Sequence, residues 1–255
     1  MSFSGWLNGL MGARPTIADA EWTALLGRSR LFDTLGEGER ARLRELAARF
    51  LAKKTFSAAA GHVLADEQRL SIAALACLPV LHLGFDWLAG WREVIVYPGE
   101  FRVKREHHDE HTGVVTEGED ELIGEAWERG PLILSWADVA TDLERPFDGF
   151  NVVAHEIAHK LDMLDGAMNG VPRLPGEIPR REWIATMQAA YDKLARAVDR
   201  RRDTFIDPYA AESAEEYFAV VSELHFSDPE GLARAAPGVA DLLARFYGRP
   251  ERSPS

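Results

Sequence analysis

Cysteine is nearly absent from this chain of 255 residues, which has one, Cys77. An intramolecular disulfide is thereby excluded, and such a composition suits a reducing compartment, so cytoplasmic residence is the expectation. Cys77 lies in the apolar run 73–83 with no base near it in sequence, and it reads as a buried core thiol rather than a nucleophile. Long apolar stretches are missing too. None reaches the roughly 18 to 20 residues that cross a bilayer. The amino terminus, with Trp6, Leu7, Leu10 and Met11, lacks the basic segment and the apolar length of a secretory signal. Positive charge is scarce: 29 Lys and Arg stand against 41 Asp and Glu, a net charge of −12. This balance disfavours nucleic acid and anionic membrane as partners. Repeats and low-complexity segments are absent as well.

What is present supports a folded globule. Hydrophobic residues make up 46% of the chain, enough for a sizeable core in one large domain or a domain with an appendage. Residues 20–90 read as helical, with Leu43, Leu46, Ala47, Phe50 and Leu51 spaced to line one helix face. From Trp91 the pattern changes. Val94 to Tyr97, Phe101 to Val103, Thr112 to Thr116 and Pro131 to Ser135 read as strands separated by turn residues. A loop with Gly and Pro follows Gly166, and a helix is expected from about 180 to 202. The expected organisation is a helical region over 1–90 packed on a catalytic domain over 91–248, with a flexible tail over 249–255.

Residues 155–159 read His-Glu-Ile-Ala-His. On a helix, residues four apart lie one turn plus about 40° from each other, so His155 and His159 can close on one ion, with Glu156 on the shoulder facing it. This is the H-E-x-x-H arrangement, in which two histidines hold zinc and the glutamate serves as general base. Asn151 is a plausible N-cap, and the apolar lead-in Val152-Val153-Ala154 would bury the histidines. Two histidines and an acid in so apolar a helix are costly to bury without a metal or other partners.

A catalytic zinc usually takes three protein ligands. Asp165 is poorly placed for the third. With no glycine at position 162 to turn the chain, it would lie about 15 Å along the axis from His155. A second acidic helix, read from Tyr209 to Val221, offers Glu212, Glu215 and Glu216 beside an apolar face of Tyr217, Phe218, Val220, Val221 and Leu224. Ser213 and Glu216 also fit a local capping box. Periodicity alone does not choose among the three glutamates. Asp162 is readable either as a group behind His159 or as an exposed helical acid. A rival cluster, His107-His108-Asp109-Glu110-His111, lies between two predicted strands, where neighbouring side chains diverge, and reads as a solvated hairpin tip. His62, His82 and His225 are isolated and read as structural.

The run from Asn151 to Gly166, the later Tyr-Ala-Ala-Glu…Glu-Tyr-Phe-Ala-Val, and Gly124 to Trp136 together resemble the Mlc titration factor A family of bacterial zinc peptidases. That family is similar in its catalytic core to the anthrax lethal factor protease. The resemblance implies an α+β, zincin-like fold, zinc held by His155, His159 and Glu216, and a tyrosine seven residues before that glutamate, which here is Tyr209. It implies further a cytosolic peptidase of aminopeptidase type acting on peptides and, in some relatives, binding to the glucose-repressor protein Mlc. Two departures stand out: Ser213-Ala214-Glu215-Glu216 replaces the usual Asn-Pro-Ala-Glu, which sets an extra acid beside the assigned ligand, and Ile157 takes the place of a common phenylalanine.

In the mechanism so implied, Glu156 takes the proton of the attacking water and Tyr209 stabilises the developing oxyanion. If Tyr209 has no such role, it merely covers the helix entrance after Pro208. The strand 131–136 precedes the metal helix, either as an exposed edge for an extended substrate or as an interior strand. The competing function is a binding protein that sequesters a transcriptional regulator, with hydrolysis secondary. Retention of Glu156 favours the enzyme, since structural zinc needs no base.

Overall fold

The computed structural model describes residues 15–99 and 130–248. Three amino-terminal helices, α1 (Asp19–Leu26), α2 (Glu37–Lys53) and α3 (Asp66–Cys77), come first. The expected stripe on α2 is the buried one: Leu43, Leu46, Ala47, Phe50 and Leu51 all face the core. It packs on α3, where Ile72 to Cys77 are almost wholly buried and the Cys77 thiol is pushed well above its ordinary pKa by burial.

Residues 20–90 are not helical throughout. Strand β1 (Thr55–Ala58) pairs in parallel with β2 (Glu93–Tyr97), and β2 pairs in parallel with β3 (Leu132–Ser135), in the order β1-β2-β3. The registers place Thr55 opposite Glu93 and Val94 opposite Leu132. A four-residue strand is too short to show its period, so nothing in the sequence of Thr55-Phe56-Ser57-Ala58 announces it. It forms because its partner is supplied from elsewhere: Thr55 N–H donates to the Arg92 carbonyl and Ala59 N–H to that of Val96. Helix α3 makes the crossover that a parallel pair needs. One sheet therefore spans position 90. Lys54 anchors this junction, its buried Nζ donating to the carbonyls of Leu88 and Trp91 and lying 3.4 Å from the centre of the Trp91 ring.

The other expected strands, 101–103 and 112–116, and the cluster at His107, His108 and His111 lie outside the described residues, as does the tail 249–255. After β3 the chain is helical: α4 (Trp136–Glu144), α5 (Val152–Asp162), α6 (Arg180–Asp199), α7 (Ala214–Ser227), α8 (Pro229–Ala235) and α9 (Pro237–Tyr247). The molecule is α+β, as the sequence implied. Helix α6 ends three residues earlier than expected, and Pro opens both α8 and α9 at the first helical turn, where its missing N–H costs nothing. Helices α5 and α7 lie against each other in the middle of the core. Val153, Ile157, Ala158 and Leu161 of the first and Phe218, Ala219 and Val221 of the second are fully buried. An edge-to-face set of Trp183, Phe218 and Phe246 closes the far side.

Candidate metal centre and its groove

Helix α5 begins as the sequence indicates. The Asn151 side chain accepts from Ala154 N–H at 2.9 Å, which caps the first turn. From that start His155 and His159 fall on one face, with their Nε2 atoms 3.1 Å apart. The helix does not run straight on to Gly166. It ends at Asp162, tightens into a 3-10 turn over Met163–Asp165, and stops at Gly166 in the left-handed conformation. Asp165 ion-pairs with Arg180 and is no part of the histidine cluster.

Helix α7 brings the third group. The acidic segment that reads as one helix from Tyr209 is two elements, a 3-10 turn at Pro208–Ala211 and α7 beginning at Ala214. Ser213 caps α7 by accepting from Glu216 N–H at 3.2 Å. Glu216 Oε2 then stands 3.3 Å from His155 Nε2 and 3.5 Å from His159 Nε2. The structure thus joins Glu216 to both imidazoles, while Glu212 and Glu215 stay outside the cluster. Donor separations of 3.1 to 3.5 Å match the edge of a tetrahedron, about 3.3 Å, set by zinc bonds of about 2.0–2.1 Å. His155, His159 and Glu216 can therefore hold one metal ion, and two neutral imidazoles with one carboxylate are a donor set suited to it.

The electrostatics point the same way. Burial would lower the pKa of His155, but the carboxylates of Glu216 and Glu223 outweigh it and raise the group to about 10. Glu216 is held well below the ordinary carboxylate range, since the two imidazoles overcome the burial that would raise it. This cluster calls for a cation.

Glu223 escaped the sequence reading. Its Oε1 lies 2.5 Å from His155 Nδ1, and its Oε2 accepts from Asn151 N–H at 3.1 Å. One carboxylate thus fixes the ring of the first histidine, with Nε2 turned to the cluster, and ties α7 to the start of α5. The clue was available, because Glu223 follows Glu216 by seven residues, two turns along one helix face.

Asp162 is neither an exposed acid nor hydrogen-bonded to His159. It is wholly buried, and its Oδ2 accepts from Asn169 N–H at 2.8 Å and from Gly170 N–H at 2.6 Å. Gly170 has φ +74, and a Cβ there would sit 2.5 Å from the Ala214 carbonyl oxygen. Asp162 of α5 therefore seats a loop directly against the first residue of α7. Lys160, also buried, donates to the Gly130 carbonyl at 2.9 Å and pins the start of β3. Among the described residues β3 is an edge strand of the sheet, although Leu132 and Leu134 are buried.

A groove of about 780 Å³ opens over the cluster, lined by His155, Glu156 and Tyr209 together with residues of α4, α7 and the loops 148–150 and 204–208. Asp207 holds Tyr209 there by accepting its backbone N–H at 2.8 Å, and the Tyr209 ring centre lies 6.4 Å from that of His155. Two other histidines among the described residues have partners elsewhere. His82 pairs with Glu39 at 3.1 Å, and buried His225 donates to the Gly248 carbonyl, its pKa lowered to about 4 by burial.

The model of the glucose-regulated metallo-peptidase M90 family matches residues 7–248. The chain belongs to that family. Proteins named Mlc titration factor A are similar to it: that of Escherichia fergusonii is 38% identical over 225 residues, covering 86% of this chain and 82% of the relative. That of Klebsiella pneumoniae is 39% identical over 219 residues, 84% and 80% of the two chains. That of Yersinia pestis is 37% identical over 234 residues, 89% and 84%. Membership makes this chain a metallopeptidase by family, and the cluster of His155, His159 and Glu216 could hold a metal ion. No helix among the described residues is long and apolar enough to cross a membrane.

Proposed function

We propose that this chain is a zinc-dependent peptidase of aminopeptidase type, in which His155, His159 and Glu216 hold the zinc and Glu156 and Tyr209 act on the substrate. The observation that carries this reading is the triangle of donor atoms at 3.1, 3.3 and 3.5 Å beside a groove that can take a peptide. Bound there, zinc supplies Lewis acidity, which makes water a better acid and polarises a peptide carbonyl. Glu156, lining the groove one residue from His155, accepts the proton of the attacking water and returns it to the leaving amine nitrogen. Tyr209 donates its hydroxyl proton in a hydrogen bond to the carbonyl oxygen as charge develops there. Glu223 keeps the proton of His155 on Nδ1 and so leaves Nε2 free as a donor.

Replacing Glu156→Gln is expected to keep fold and metal while lowering peptidase activity by about 10²- to 10⁴-fold, the range for loss of a general base. Metal analysis beside a peptide-cleavage assay checks this, and activity within twofold of the parent contradicts it. Tyr209→Phe is expected to lower kcat by about 10²-fold with KM and metal content unchanged. Steady-state kinetics on both proteins checks the split.

A second reading draws on the relatives' name, Mlc titration factor A. In it the chain binds a transcriptional repressor of the Mlc kind in the cytoplasm, and hydrolysis is secondary. Glu156→Gln separates the two, because repressor binding survives it and peptide cleavage does not.

A further inference from the structure

The groove over the cluster is unusual in its charge. Besides Glu156 and Glu223, five aspartates line it: Asp138 and Asp142 of α4, Asp148, Asp207 and Asp228. No lysine or arginine lines it among the described residues, and none of these acids ion-pairs with one there. Four of the five aspartates accept from backbone N–H groups: Asp142 from Val152, Asp148 from Phe150, Asp207 from Tyr209 and Asp228 from Gly231. Those bonds fix the carboxylates without neutralising them. Asp142 is buried, and its pKa rises to about 7, first through burial and then through the nearby charges of Glu223, Asp148 and Asp138. An independent feature marks the same groove for a chain rather than an ion. Phe150 and Phe205, 58% and 50% exposed, flank it with bare aromatic surface. Aromatic faces beside carboxylates suit a long cationic side chain, whose stem packs on the ring while its head meets the acid.

We infer that this groove selects peptides with lysine or arginine side chains close to the bond over the metal centre, with Asp138 and Asp148 as specificity-determining residues. The inference rests on the peptidase reading above for its substrate, but not for its charge preference. Opposite charges about 4 Å apart near a surface attract strongly enough that two such contacts shift affinity by about tenfold or more.

The test uses three octapeptides, each with a free amino terminus and an amidated carboxyl end so that only side-chain charge differs, carrying two Lys, two Gln or two Glu beside the amino-terminal peptide bonds. Binding is measured by fluorescence anisotropy to metal-loaded Glu156→Gln protein, and cleavage is measured with the parent protein. The Lys peptide should bind about tenfold tighter than the Gln peptide and tighter still than the Glu peptide. That advantage should shrink at high salt and fall to twofold or less when Asp138→Asn and Asp148→Asn are added. Equal binding of the three peptides overturns the inference, as does a Lys preference that the two Asn substitutions leave unchanged, since it would then come from the acidic surface at large. Should the parent cleave none of the three while binding stays charge-selective and sensitive to Asp138 and Asp148, the charge preference stands and the peptidase reading falls.

Discussion

Helices α5 and α7 supply the two sides of the cluster by different means. On α5, the spacing of His155 and His159 follows from one turn of helix, and its start is set by Asn151, whose side chain accepts from the N–H of Ala154 three residues on. On α7, Glu216 reaches those histidines only because another part of the chain holds the helix in place. Glu223 ties α7 to Asn151 and His155, and Asp162 seats Gly170 against Ala214. One side is local chemistry and the other is tertiary packing. The difference teaches where the site is vulnerable: α5 can be loosened as a helix and still present two imidazoles, whereas a small shift of α7 takes the Glu216 carboxylate away from them.

The comparison can be sharpened by removing the tie and the cap in turn. Glu223→Gln takes away the charge that holds His155 Nδ1 and the start of α5 while keeping the side-chain shape. Metal affinity is expected to fall by about 10- to 100-fold, the scale for a group that orients a metal-binding histidine. Competition with a chelator of known affinity measures it, and an affinity within twofold of the parent breaks the contrast between the helices. Asn151→Ala acts on the local side. Losing the cap should lower stability by about 1 kcal/mol, with a fall of about 2–4 °C in Tm, and leave metal affinity within a few-fold. Thermal unfolding of the metal-free proteins, followed by the same chelator competition, shows whether the two effects separate in this way.

The same division explains how much could be read from the sequence. The motif at 155–159, the cap at Asn151, the buried stripe of α2 and the strands at Val94 to Tyr97 and Leu132 to Ser135 follow from neighbours close in sequence, and the structure has them. Strand β1 could not be read, because its ladder partner is 38 residues away. Asp162 was legible as an acid but not as a loop anchor, since its partners at Asn169 and Gly170 come to it only after the helix has tightened and turned. Periodicity left Glu212, Glu215 and Glu216 equal; the family resemblance singled out Glu216, and packing of α7 on α5 brings that residue to the histidines. Glu223 was missed because its partner lies 68 residues earlier, although its spacing from Glu216 was in plain view.

The central claim is that packing delivers Glu216, and not its neighbour, to the two histidines as a metal ligand. It is tested most directly by zinc titration of three metal-free proteins: the parent, Glu216→Ala and Glu215→Ala. The account predicts about one zinc per chain for the parent and for Glu215→Ala with closely similar affinity, and a loss for Glu216→Ala larger than the 10- to 100-fold expected of an orienting group. Full zinc affinity in Glu216→Ala, or a site emptied by Glu215→Ala instead, would contradict it.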